Sequence, residues 1–196
     1  MNHQYKILPS DYFWRGKEIF EEFQKSNVHD LLFYSALDYR NCIERILFDE
    51  LYLLNIDNLP RKFEKLYRIK DLANTILEIE PDFLKKLEFI NIYFEAMGIG
   101  EFIFIPDLDY LNNIYGRLGN YLHCLKDPTK TIENSEWWTG FTDLLIETEK
   151  YVSKVIGSTT ASFQMNDKGN DLFIRWREGE IDKDEVVRQV RIDFYE

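Results

Sequence analysis

Apolar residues in this chain return at three- and four-residue spacing over long stretches, and that period suits α-helices rather than strands. The stretch 29–54 is the clearest case. Leu32, Ala36, Tyr39, Ile43, Leu47 and Leu54 fall on one side of a helix. The same reading predicts helices over about 12–26, with Ser10 or Asp11 as cap, 61–79, 81–97, 106–126 and 135–156. Asn and Asp residues before Pro60, the glycines at 98 and 100, and Asp127-Pro128 separate them. The run Phe102–Ile105 is too short to assign to a strand or a buried loop. Residues 157–166 are Ser/Thr-rich and read as a loop or a weak strand. Two short helices, 171–177 and 182–192, joined by Glu178-Gly179-Glu180, close the chain. The expected fold is all-α: a helical bundle of about six main helices over 1–156. Residues 157–196 form a C-terminal helical appendage, either a hairpin packed on the bundle or a solvated arm.

With 196 residues and 45% hydrophobic content the chain can bury a core without disulfides, and the two cysteines, Cys42 and Cys124, could not supply a framework. Twenty-four basic against 35 acidic residues give a net charge of −11. A protein of that sign does not coat DNA through its backbone, which needs a broad positive field. No apolar stretch reaches the roughly 18 residues that a membrane span requires, and residues 1–14 lack the apolar core of a signal peptide. A cytoplasmic protein that does not engage membranes is expected. The phosphate loop GxxxxGK[ST], the pairs CxxC and HExxH, and the elbow GxSxG are all missing from the sequence. With three histidines in all, no metal and no cofactor are expected.

The informative segment is the fifth predicted helix. With Arg117 as zero and about 100° per residue, Leu111, Ile114, Leu118, Leu122 and Leu125 cluster on the core side. Asn113, Arg117, Asn120 and His123 fall on the opposite side, at successive steps of three residues or so. A cation, an amide and an imidazole aligned in this way suit a phosphodiester. Arg117 offers a planar donor fork, and His123 moves protons near neutral pH. Asn120 lies between them. Gly116 and Gly119 each cost roughly 1 kcal/mol relative to Ala inside a helix. They make sense where another backbone, of this chain or of a second subunit, comes close.

The run Tyr115-Gly-Arg-Leu-Gly-Asn-Tyr-Leu-His123 resembles the Arg-x4–6-His motif of HEPN domains, with a spacer of five residues. The stretch from Tyr34 to Leu47 resembles an early helix of that family, so the likeness spans about 29–126. HEPN proteins are helical bundles of toxin–antitoxin, abortive-infection and CRISPR-linked systems, and many are metal-independent endoribonucleases. The resemblance implies that His123 acts as general acid or base on RNA and that Arg117 stabilises the charged phosphate. It also implies a homodimer in which the motifs of two subunits meet, and a role as a toxin or defence effector with a neutralising antitoxin or other protein partner. One position departs from the pattern: Leu118 stands where nuclease members often carry a polar residue. Non-catalytic members bind a partner instead, so the alternative is a helical binding or regulatory module for a protein or nucleic acid.

Other candidates lie elsewhere. Arg40 and Glu44, at i and i+4, read either as an ordinary ion pair or as residues that orient the Arg117/His123 face. Arg61, Lys65 and Arg68 share one face of a basic stretch, a candidate RNA or partner contact on an acidic protein. Trp137-Trp138 reads as core packing or as a partner anchor. The net charge thus limits the size of a nucleic-acid footprint without forbidding one.

Overall fold

The computed structural model describes residues 7–54, 69–99, 103–123, 135–158 and 165–195. Among these residues there are eight helices and no strand. They are α1 (Pro9–Ser26), α2 (Asp30–Leu54), α3 (Ile69–Ile79), α4 (Phe83–Ala96), α5 (Leu108–His123), α6 (Ser135–Gly157), α7 (Asp167–Arg177) and α8 (Lys183–Tyr195). No helix among the described residues is long and apolar enough to cross a membrane.

The helix ends follow local chemistry. α1 begins three residues before the predicted start, because Pro9 suits the first turn and the cap is Leu8 rather than Ser10 or Asp11. Asp11 sits inside the helix, and its Oδ2 accepts the Leu8 N–H at 2.8 Å. Asn27 closes α1 in the left-handed region at φ 56°. α5 is capped by Asp107, whose Oδ1 accepts the Tyr110 N–H at 2.9 Å. α7 begins four residues before its predicted start, since Asn166 Oδ1 accepts the Gly169 N–H at 2.8 Å. Gly98 and Gly179 take positive φ beyond the ends of α4 and α7.

The long helix α2 is the hub. It packs against α1, α3, α5 and α6, and its Leu32, Ala36, Tyr39, Ile43, Leu47 and Leu51 are buried. α1 runs antiparallel to it. The Ser35 hydroxyl donates to the Gly16 carbonyl at 2.8 Å, and Arg15 forks onto Asp38, whose carboxylate is otherwise buried. A Cβ on Gly16 would lie 3.1 Å from the Tyr39 ring, so glycine is what lets the two helices close.

From Ile103 to Asp107, after the fourth helix, the backbone is neither helix nor strand. The Asn91 amide holds it as a neighbouring strand would, accepting the Ile103 N–H at 2.6 Å and donating to the Ile103 carbonyl at 2.8 Å. A second apolar cluster joins α4 to the end of the chain. Phe89, Ile92 and Ala96 pack against Leu172 and Phe173 of α7 and Val186 and Val190 of α8. The C-terminal helices are therefore docked on α4 rather than projecting as an arm. The Arg177–Asp82 pair and the Lys183–Glu95 pair at 2.7 Å tie them down at the edges.

Candidate functional site

α5 is amphipathic. Leu111, Ile114 and Leu118 are fully buried, while Asn113, Gly116, Arg117, Asn120 and His123 are exposed. Leu118 faces inward because it lies one residue from Arg117 and on the opposite side of the helix. At that position an apolar side chain serves packing.

The exposed residues divide between two neighbours. Arg117 leans toward α6, where its Nη1 donates to Glu147 Oε1 at 2.8 Å. The Tyr110 hydroxyl donates to the same oxygen at 2.7 Å. The hydrogen bond to Glu147 raises the Arg117 pKa, and the reciprocal bond holds the Glu147 carboxyl below its usual range against partial burial. At the end of the helix His123 is exposed, and Asn120 is exposed one turn before it.

On the other flank of α5 stands Arg40, from α2. Its guanidinium carbon sits 4.0 Å from the centroid of the Tyr115 ring. Its Nη1 and Nη2 lie 3.5 and 4.0 Å from where a Cβ of Gly119 would be. The Tyr115 hydroxyl donates to Glu44 Oε1. Burial first, and the Glu44 carboxylate next, push the Tyr115 phenol up. Arg40 and Glu44 do not form the ion pair that their spacing suggested. Each is engaged by Tyr115 instead, Arg40 by its face and Glu44 by its hydroxyl. The Arg40 Nε is buried with no hydrogen-bond partner.

Gly119 is buried beneath Arg40, and a Cβ there would meet the guanidinium at ordinary contact distance. Gly116 has nothing within 4 Å of its missing Cβ and faces open space.

Arg61, Lys65 and Arg68 lie outside the described residues. Trp137 and Trp138 are half-buried in an aromatic cluster with Phe33, Tyr121, Phe141 and His29. The Tyr121 and Phe141 rings stack 4.4 Å apart, so the tryptophans belong to the α2–α5–α6 packing. Among the described residues no group of three His, Cys, Asp or Glu side chains is arranged to hold a metal ion.

Two neighbours of the motif escaped sequence reasoning. Tyr110 lies seven residues before Arg117 on the same side of α5, a spacing that could have found it, whereas Glu147 is an ordinary helix-surface residue by pattern that only the antiparallel packing of α5 on α6 brings to Arg117. No protein-family model, curated protein or solved structure matches this chain.

Proposed function

We propose that the chain is a HEPN-like, metal-independent endoribonuclease that works as a homodimer, a toxin or defence effector. The observation that supports this reading is the exposed row Arg117, Asn120 and His123 on α5, backed by the buried Leu111, Ile114 and Leu118. A solvent-facing imidazole can take the proton of an RNA 2′-hydroxyl. The 2′-oxygen then attacks phosphorus and the bond to the 5′-oxygen breaks. That oxygen takes up a proton, and the products are a 2′,3′-cyclic phosphate and a 5′-hydroxyl. Arg117 neutralises the extra charge on the phosphoryl oxygens in the transition state. Two subunits would bring two such histidines together, one for each proton transfer.

The test is cleavage of an unstructured RNA by wild type, His123→Ala and Arg117→Ala, with chelator present. Loss of cleavage in both variants supports the reading, and equal cleavage by all three overturns it. A non-catalytic binding module is the second reading. The pairing of Arg117 with Glu147 and the buried Leu118 favour it. It predicts retention of RNA or a protein partner with no cleavage by any of the three proteins.

A further inference from the structure

We infer that Arg40, seated on Tyr115 and over Gly119, is the group that binds the phosphodiester of single-stranded RNA beside His123. This inference rests on the ribonuclease reading and assigns ground-state binding to a residue outside the Arg-x5-His motif.

Arg117 already has a carboxylate partner in Glu147. Among the described residues no carboxylate lies within ion-pair distance of Arg40, and the Glu44 carboxylate, four residues along α2, accepts from Tyr115. A half-buried guanidinium without an anion is a site waiting for one, since the low local dielectric strengthens its attraction for phosphate. Its planar fork matches two phosphoryl oxygens. Stacking on Tyr115 fixes the fork, so little rotamer entropy is lost on binding.

Taking Gly119 as zero and about 100° per residue, His123 lies at about +40°, Gly116 at about +60°, Asn120 at about +100° and Arg117 at about +160°. His123 is therefore on the Arg40 flank of α5, one turn or about 6 Å along the axis from Gly119. Arg117 is on the α6 flank, about 120° round from His123. Gly119 is buried beneath Arg40, and open space lies over the exposed Gly116 one turn before it. A backbone phosphate can approach the exposed side of α5 beside Arg40, where Asn120 and His123 face solvent.

The two arginines thus divide the work. Arg40 holds the phosphate in the ground state, and Arg117 acts on the charge that develops during cleavage. This predicts a split between binding and turnover. In a His123→Ala background, which prevents cleavage, binding of a fluorescein-labelled 12-nucleotide single-stranded RNA is followed by anisotropy across a salt series. Arg40→Gln should weaken binding at least tenfold and lower the slope of log K against log salt by about one phosphate contact. Arg40→Lys, which keeps the charge but not the fork, should recover part of the loss. Arg117→Gln should stay within about twofold of the parent. Thermal unfolding of each variant is recorded alongside. Should Arg40→Gln lower the melting temperature, the salt slope of the folded Arg40→Lys protein decides.

Parent-like binding by Arg40→Gln, or a loss confined to Arg117→Gln, overturns the assignment. So does displacement of the RNA by polyglutamate at equal ionic strength and equal charge concentration, which would make the site a dock for an acidic protein. The enzyme reading is separable. If wild type cleaves RNA and Arg40→Gln cleaves it with unchanged KM, only the role of Arg40 falls. If wild type neither cleaves nor binds RNA, both fall.

Discussion

Arg117 donates to Glu147 across the α5–α6 contact at 2.8 Å, and Tyr110 donates to the same carboxylate oxygen. The cation of the motif is therefore balanced within the chain. Its position is set by a residue thirty places away in sequence.

That pairing makes Glu147 a competitor for any phosphate that approaches Arg117. Glu147→Gln should tighten RNA binding severalfold in the His123→Ala background, as read by anisotropy. Both side chains are partly exposed, so urea unfolding should change by less than about 1 kcal/mol. Weaker binding would mean that Glu147 serves to aim Arg117 rather than to restrain it.

Glu50 should make the fold weaker in mild alkali. It borders an apolar cavity of about 30 Å³ lined by Ile46, Phe83, Leu87, Phe104 and Val155. Among the described residues no hydrogen bond or ion pair reaches its carboxylate. Burial, with a further push from Asp49, raises its pKa to about 7. The folded value lies above the unfolded one, so the native state holds the proton longer. Its contribution to stability falls as pH rises from about 4.5 through 7, by about 3 kcal/mol at most. Glu50→Gln should remove that slope and leave the protein more stable than wild type at pH 8. Urea unfolding at pH 5 and pH 8 checks it, and parallel losses in both proteins would refute it.

Gly16 should not tolerate a side chain. An added Cβ meets Tyr39 ring carbons at 3.1 Å and the Asp38 Cβ at 3.2 Å, and both belong to a packed helix rather than to a flexible end. Gly16→Ala should lose about 1–3 kcal/mol of stability despite alanine's better helix propensity. Urea unfolding measures it, and a stabilised variant would show that α1 and α2 separate easily.

Gly116 should behave in the opposite way within one subunit. Its missing Cβ faces open space and its φ is ordinary. Gly116→Ala should stabilise the chain by about 0.5–1 kcal/mol in urea. If two copies meet over this face, the added methyl weakens their association, and sedimentation equilibrium should show a shift toward monomer. Stabilisation with unchanged association would place any dimer contact elsewhere.

Much of this was legible in the residues alone. The apolar period predicted α2 to within one residue at its start, because a buried stripe of Leu, Ile and Tyr imposes a single face at 3.6 residues per turn. Helix starts read from caps were less secure. At α1, Pro9 and the reach of Asp11 back to Leu8 moved the boundary, and at α7 Asn166 did. Those choices are made by one hydrogen bond each, which periodicity does not register. The irregular run at Ile103 was unreadable for a related reason: a single distant amide, Asn91, supplies its partner.

On α5, the sequence by itself determined the exposed row of Asn113, Arg117, Asn120 and His123, since helical geometry fixes which residues share a side. It could not determine what stands beside that row. Glu147 reaches Arg117, and Arg40 reaches Tyr115 and Gly119, only because α6 and α2 pack along the two flanks of α5. The local spacing of Arg40 and Glu44 suggested that they would pair with each other. Tertiary packing inserted a tyrosine and used both, because a half-buried ring offers one face to a cation and one hydroxyl to a carboxylate.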